Sequence, residues 1–161
     1  MGELVEGDDG LPVEEVGPWV KNKHDRLCRY IDISSATRRK YVGPQKGGAT
    51  YIDLFCGAGR SQVRKTGEFI DGGCVAAWNQ SVKSDSPFSA VYIADADEER
   101  RAYSEARLRA LGAPVRVISG NALTASRWAR SNLSRYSLHF AFIDPFNLGA
   151  FDFEIIKNLS T

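Results

Sequence analysis

Sulfur is scarce in this chain, which has one methionine and three cysteines among 161 residues. Cys28, Cys56 and Cys74 are odd in number and far apart, which excludes both the spacing of a zinc site and the even set of a disulfide framework. Free thiols suit a reducing compartment, so a cytoplasmic location is expected. Long apolar runs are absent as well. Nothing approaches the ~18 apolar residues of a membrane span, and the acidic N-terminus lacks the basic and apolar regions of a signal peptide, so no membrane partner is expected. Net charge is close to missing at +1, yet the average conceals an asymmetry. Residues 1 to 20 hold six acids and no Lys or Arg, leaving 21 basic against 14 acidic side chains beyond them, a net of +7. A mildly basic body permits contact with nucleic acid without requiring it.

A chain of this length can bury one real core. Residues 1 to 16, rich in Gly and acid, are expected to be a disordered lead-in, and residues 17 to 161 to form one domain. Order should begin at Gly17-Pro18-Trp19, after which Val20, His24, Leu27 and Ile31 fall at helical spacing. His24 lies on that stripe with no acid or thiol near it in sequence, and is expected to be packed, not catalytic. Arg38, Arg39 and Lys40, with the glycines at 43, 47 and 48, read as a loop into the first strand. Then come strand Ala90 to Ala94, helix Glu98 to Leu111, strand Val115 to Ile118, a helix around Ser126 to Arg135 and strand Leu138 to Ile143. Helices alternating with apolar strands imply an α/β fold, a doubly wound and mainly parallel sheet of Rossmann-like type.

The first strand carries the most informative pattern, TYIDLFCGAG at residues 50 to 59. It runs straight into a turn with Gly57 and Gly59, where bare backbone can approach a nucleotide-like ligand. Asp53 indicates which ligand. A carboxylate there would repel a dinucleotide pyrophosphate, whereas the ammonium and sulfonium of S-adenosylmethionine (SAM) would be attracted to it. Other strands also end in polar groups at the edge where such sheets bind ligands: Asp95, Gly120-Asn121 and Asp144. Asp95 either accepts from ribose hydroxyls or caps the next helix. Asp97 competes for the cap, which leaves Asp95 for the ribose. Asn121 could bond the adenine edge or shape a turn. The 42 residues between Asp53 and Asp95 exceed the ~20 of a dinucleotide fold. The excess, Arg60 to Pro87, reads as an insert of a polar loop and a helix from Val75 to Val82. In it Arg60, Arg64 and Lys65 could hold a substrate phosphate or stay solvated.

Taken in order, GPWVKNKHDRLCRYI, YIDLFCGAGR, GEFIDGG, VYIADAD and AFIDPF resemble the three-Cys-motif partner protein family, TcmP, over roughly Val16 to Gly149. Its members resemble class I SAM-dependent methyltransferases. The Gly-Pro-Trp helix and the GEFIDG segment make the resemblance specific, while the glycine loop and Asp-Pro-Phe are general to methyltransferases. Where the family continues with Ser-Pro after Asp-Gly, this chain has Gly73-Cys74, and Asn121 stands where methyltransferases often have an acid. The three cysteines of the family name belong to the partner protein, so Cys28, Cys56 and Cys74 inherit no role. The resemblance implies SAM as cofactor, a three-Cys-motif protein as partner, and a seven-stranded sheet. Four strands are legible, so the chain is expected to be truncated after the fourth, with Leu138 to Ile143 as an open edge.

DLFCGAG is also similar to the opening motif of DNA cytosine-C5 methyltransferases, which attack through a Pro-Cys cysteine. No Pro-Cys occurs here. Asp144, Pro145 and Phe146 are instead similar to the Asp/Asn-Pro-Pro-Tyr/Phe element of amino-methyltransferases, in which an acceptor pair holds an exocyclic amine and a ring stacks on the base. The alternative is a strand-end cap at Asp144 and a core ring at Phe146. The expected function is therefore methyl transfer from SAM, held by Asp53, Gly57, Gly59, Asp95 and Asn121, to an amino group near Asp144, Pro145 and Phe146, with a nucleic-acid base as candidate acceptor. The alternative is a non-catalytic partner protein that keeps the fold and docks another protein. An NAD-dependent oxidoreductase is disfavoured by Asp53 and by Gln62 in place of the third fingerprint glycine.

Overall fold

The computed structural model describes residues 2 to 160. A four-stranded sheet, every pairing parallel, runs in the order β7(Val115–Val117), β6(Ala90–Ile93), β3(Ala49–Asp53), β8(Leu138–Phe142). The chain thus starts the sheet at β3, adds β6 and β7 on one side and returns to place β8 on the other. That reversal beside β3 is the switch point at whose carboxyl ends open α/β sheets bind ligands.

Alternation along β3 divides the core. Tyr51 packs with Leu27, Ile31, Val75, Trp78 and Val91 under α1(Trp19–Ile33), α3(Gly73–Lys83) and α4(Glu98–Ala110). Ile52 and Leu54 pack on the opposite face with Ala122, Ala125 and Ile155 from α5(Ala122–Asn132) and α6(Glu154–Leu159). Every residue of β3 is buried, as a central parallel strand requires. No residue of β8 is fully buried, because β3 is its one partner among the described residues. No helix among them is long and apolar enough to cross a membrane.

Three local readings are corrected. The basic run at 38 to 40 is not simply loop: α2(Ser35–Arg39) carries a fully buried Arg38, which donates to the Ser86 carbonyl at 2.6 Å, the Ile31 carbonyl at 2.9 Å and the Ser86 hydroxyl at 2.8 Å. The polar stretch after the glycine loop is a hairpin of β4(Arg60–Val63) and β5(Phe69–Asp71). Residues 2 to 16 are no disordered lead-in either. β1(Leu4–Val5) and β2(Val13–Val16) pair antiparallel with each other, and β2 pairs parallel with β4, completing a second sheet in the order β1, β2, β4, β5.

The acids of this segment hold it down. Asp8 takes two bonds of 2.7 Å from Arg60, and Asp9 takes two of 2.8 Å from Arg107. Arg107 is 6% exposed and also donates to the carbonyls of Leu11, Pro12 and Ala58. Low Lys and Arg content within the segment is therefore the complement of buried arginines elsewhere, and Val13 is fully buried beneath it.

Arg107→Leu removes five donated bonds at one buried position and is expected to lower stability by about 2–4 kcal/mol while exposing the backbone of Val13–Val16 to hydrogen exchange. Acid should loosen the same contact. The Arg107 guanidinium holds the Asp9 carboxyl down to about 2 from an ordinary 3.8, so its contribution is present above about pH 4 and is lost as pH falls through 2. Unchanged melting and unchanged exchange in Arg107→Leu would contradict this account.

Candidate cofactor and acceptor site

Four successive backbone N–H groups follow β3, and each is already bonded within the protein. Phe55 N–H donates to Asp53 Oδ1 at 3.0 Å, Cys56 N–H to the Ala94 carbonyl at 3.1 Å, Gly57 N–H to Asp95 Oδ2 at 2.9 Å and Ala58 N–H to Glu14 Oε1 at 2.7 Å. Three of the four acceptors are carboxylates. A glycine loop that binds pyrophosphate leaves such N–H groups free for the anion. Here the loop spends them on its own acids, of which Asp95 makes no ion pair among the described residues while Glu14 is paired with Arg100 at 3.3 Å.

The glycines have steric reasons of the same origin. Gly57 and Gly59 have φ of 61° and 82°, left-handed values that side chains disfavour. A Cβ at Gly57 would also come within 2.5 Å of Glu14 Oε1, and one at Gly59 within 3.0 Å of the Ser104 backbone on α4. The close approach that the sequence assigns to a ligand is thus made by β2 and α4.

Asp53, the last residue of β3, is 2% exposed. Burial pushes its carboxyl up to about 7; the Phe55 N–H and, at 3.3 Å, the Tyr51 hydroxyl oppose the rise, while the nearby Asp144 and Asp95 charges add to it. Asp53, Asp95 and Asp144 follow or end the neighbouring strands β3, β6 and β8, so the sheet gathers three of the expected acids. Asp95 also accepts from Asp97 N–H at 2.9 Å, and Asp97 caps α4 through Arg100 N–H. Asn121 is the cap of α5, accepting from Thr124 N–H at 3.0 Å. That cap starts the helix at Ala122, four residues before the expected position.

At the end of β8, Asp144 is half-buried and takes a 2.6 Å bond from Lys23 Nζ on α1. Pro145 is half-buried, and Phe146 is 76% exposed, which removes the core-ring alternative for it. His24 is half-buried; burial first and Lys23 second lower its pKa, so it stays neutral. Arg60 is unavailable to a substrate phosphate, since Asp8 and Asp71 both hold it. Beside this site a groove of about 380 Å³ runs between α1 and β8, lined by Trp19, Lys23, Arg26, Tyr30, Phe140 and Phe142 among others.

Glu14 and Lys23 are the site residues that sequence reasoning missed. Glu14 acts 44 residues away in sequence and Lys23 acts 121 away, and neither spacing is periodic. No family model, curated protein or solved structure matches this chain.

Removing the buried charge should stabilise the fold. Because the folded form keeps the Asp53 proton up to about 7 and the unfolded chain releases it near 3.8, stability falls as pH rises through that window and levels off above it. Asp53→Asn retains the acceptor for Phe55 and should gain on the order of 2–4 kcal/mol over wild type at pH 8, with the gain shrinking toward pH 4. Denaturant titration at both pH values checks this; a variant less stable than wild type at pH 8 would refute it.

Proposed function

We propose that this chain is a SAM-dependent methyltransferase-like protein of the three-Cys-motif partner type, acting on an amino group. The observation that carries the reading is the carboxylate clamp on the glycine loop. With Gly57 and Ala58 N–H groups held by Asp95 and Glu14, the loop has little to offer a pyrophosphate, and Asp53, buried at the end of β3, favours a cation. A positive ligand would draw Asp53 into its charged form and recover part of the burial cost that raises its pKa. Asp95, with both oxygens in the loop, retains lone pairs for ribose hydroxyls. Asn121 keeps only its amide NH₂ for an adenine edge, since its oxygen caps α5.

SAM supplies a methyl group on a sulfonium that leaves readily, so the chain's own residues need mainly to align an acceptor. Asp144 accepts N–H bonds from the amine, which orients its lone pair and offsets the positive charge that grows as the N–C bond forms. Phe146, exposed beside it, offers a face to a planar acceptor such as a nucleobase. Lys23 holds Asp144 Oδ2, which leaves Oδ1 to accept from the amine.

The Lys23 ammonium also supports a second reading. Paired at 2.6 Å with Asp144, it sets a positive charge beside the place where an acceptor amine would gain one, and the chain then serves as a non-catalytic partner that keeps the cofactor site while docking another protein.

Calorimetry should find binding of SAM and none of NAD. Asp53→Asn and Asp95→Ala are each expected to weaken SAM by at least tenfold, in line with ~1.5–3 kcal/mol for a charge-assisted bond. Affinity should rise between pH 6 and 8 in wild type as Asp53 ionises and stay flat in Asp53→Asn. Since Asp53→Asn should be the more stable protein, lost affinity there cannot be lost folding. Equal affinity in both variants would sink the cofactor site. With labelled SAM and bulk DNA, RNA or protein, Asp144→Ala should lose transfer and keep SAM binding, whereas SAM binding without transfer by wild type selects the second reading.

A further inference from the structure

We propose that the groove between α1 and β8 is a track for single-stranded nucleic acid, which brings one base toward Asp144 and Phe146. The proposal deepens the methyl-transfer reading and rests on it for the fate of the base at Asp144; the binding itself does not depend on a cofactor. Trp19, Lys23, Arg26 and Tyr30 recur at three- and four-residue steps and share one face of α1, beside the stripe of the buried Val20, Leu27 and Ile31, of which Leu27 also lines the groove. On this face two rings flank two cations. Trp19 and Tyr30 are 67% and 66% exposed, so their faces are open to stacking. Trp19 is also held in place, since a Cβ at Gly17 would run into its ring. A ring fixed on one side by backbone and open on the other loses little entropy when a base stacks on it.

Charge selects the occupant. Arg26 is exposed and makes no ion pair among the described residues, and none of the groove's lining residues is acidic. The acid at its end, Asp144, is neutralised by Lys23. Phosphates meet Arg26, and bases meet aromatic faces and the Asn22 amide at the groove wall. These contacts use only the phosphates and base faces that DNA and RNA share. A polypeptide strand adding to the open edge of β8 would lie in the plane of the sheet. The groove lies above that plane, where Phe140 and Phe142 pack toward α1 and α3.

The test is fluorescence anisotropy of the full chain with labelled 12-nucleotide oligo-dT and oligo-U at low salt, with a duplex of equal length as competitor. Either single strand should bind, quench tryptophan emission and resist the duplex. Trp19→Ala is expected to weaken binding at least fivefold, and Arg26→Ala to weaken it and reduce the salt slope by about one. Arg116→Ala, an exposed cation on β7 at the far edge of the sheet, should change neither. Melting of each variant checks folding. The proposal is overturned if no oligonucleotide binds, if duplex binds better, if Trp19→Ala binds as wild type does, or if Arg116→Ala weakens as much as Arg26→Ala. It is also overturned if sedimentation shows a dimer that Trp19→Ala dissolves, because a second copy would then own the groove. Oligonucleotide binding without SAM affinity would leave this inference standing and remove the methyl-transfer reading; SAM affinity without oligonucleotide binding would do the reverse.

Discussion

The turn after β3 is held from two sides by carboxylates, Asp95 at the end of β6 and Glu14 from β2, and the rest of the molecule is arranged around that clamp. Each acid brings a different part of the chain to the loop. Asp95 locks it to the neighbouring strand of the parallel sheet, while Glu14 ties it to the second sheet that residues 2 to 16 complete. A backbone N–H buried without an acceptor costs more than a made bond returns, so once the chain folds this way the loop cannot simply trade these partners for an anion. The turn favours glycine at 57 through its φ of 61°, and a Cβ there would also push the Glu14 carboxylate out of its place in the clamp.

Stability and binding pull against each other at Asp53. A carboxyl shifted to about 7 beneath two other acids is a poor choice for a core. Its neighbours on the buried face of β3, Ala49 and Tyr51, are ordinary packing residues. The penalty is concentrated at the one position where a cationic ligand would relieve it, and a buried acid with its pKa raised this far is a physical pointer to a functional site.

The sheet was legible because its signals are local. Four apolar runs, each ending in a turn or an acid, mark β3, β6, β7 and β8 within a residue or two, and Asp97 ahead of Glu98 and Glu99 marks the start of α4. The acidic lead-in was misread because composition averages over a segment whose acids have individual partners. Asp8 and Asp9 look like solvated charge until Arg60 and Arg107 are placed opposite them, and that requires the fold. The hairpin at 60 to 71 was hidden for the same reason. Its residues alternate weakly, and its strand β4 gains meaning only when β2 pairs alongside. Asn121 had two readings, and the backbone decided for the cap because a helix N-terminus has donors that need an acceptor wherever it begins.

Lys23 connects the two halves of the site. Its pair with Asp144 joins α1, whose outer face carries the aromatic and cationic groove, to the end of β8, where an acceptor amine would be held. Both side chains are about one-third exposed, so water screens them and the pair is worth at most about 1 kcal/mol. A contact that weak holds geometry in the resting protein yet opens readily when a phosphate draws the ammonium away or an amine competes for the carboxylate. The buried arginines differ in kind. Arg107, with five bonds and almost no solvent, cannot exchange partners without unfolding the segment it secures. The chain therefore places strong ion pairs where structure must stay fixed and a weak one between α1 and the end of β8, beside the candidate site.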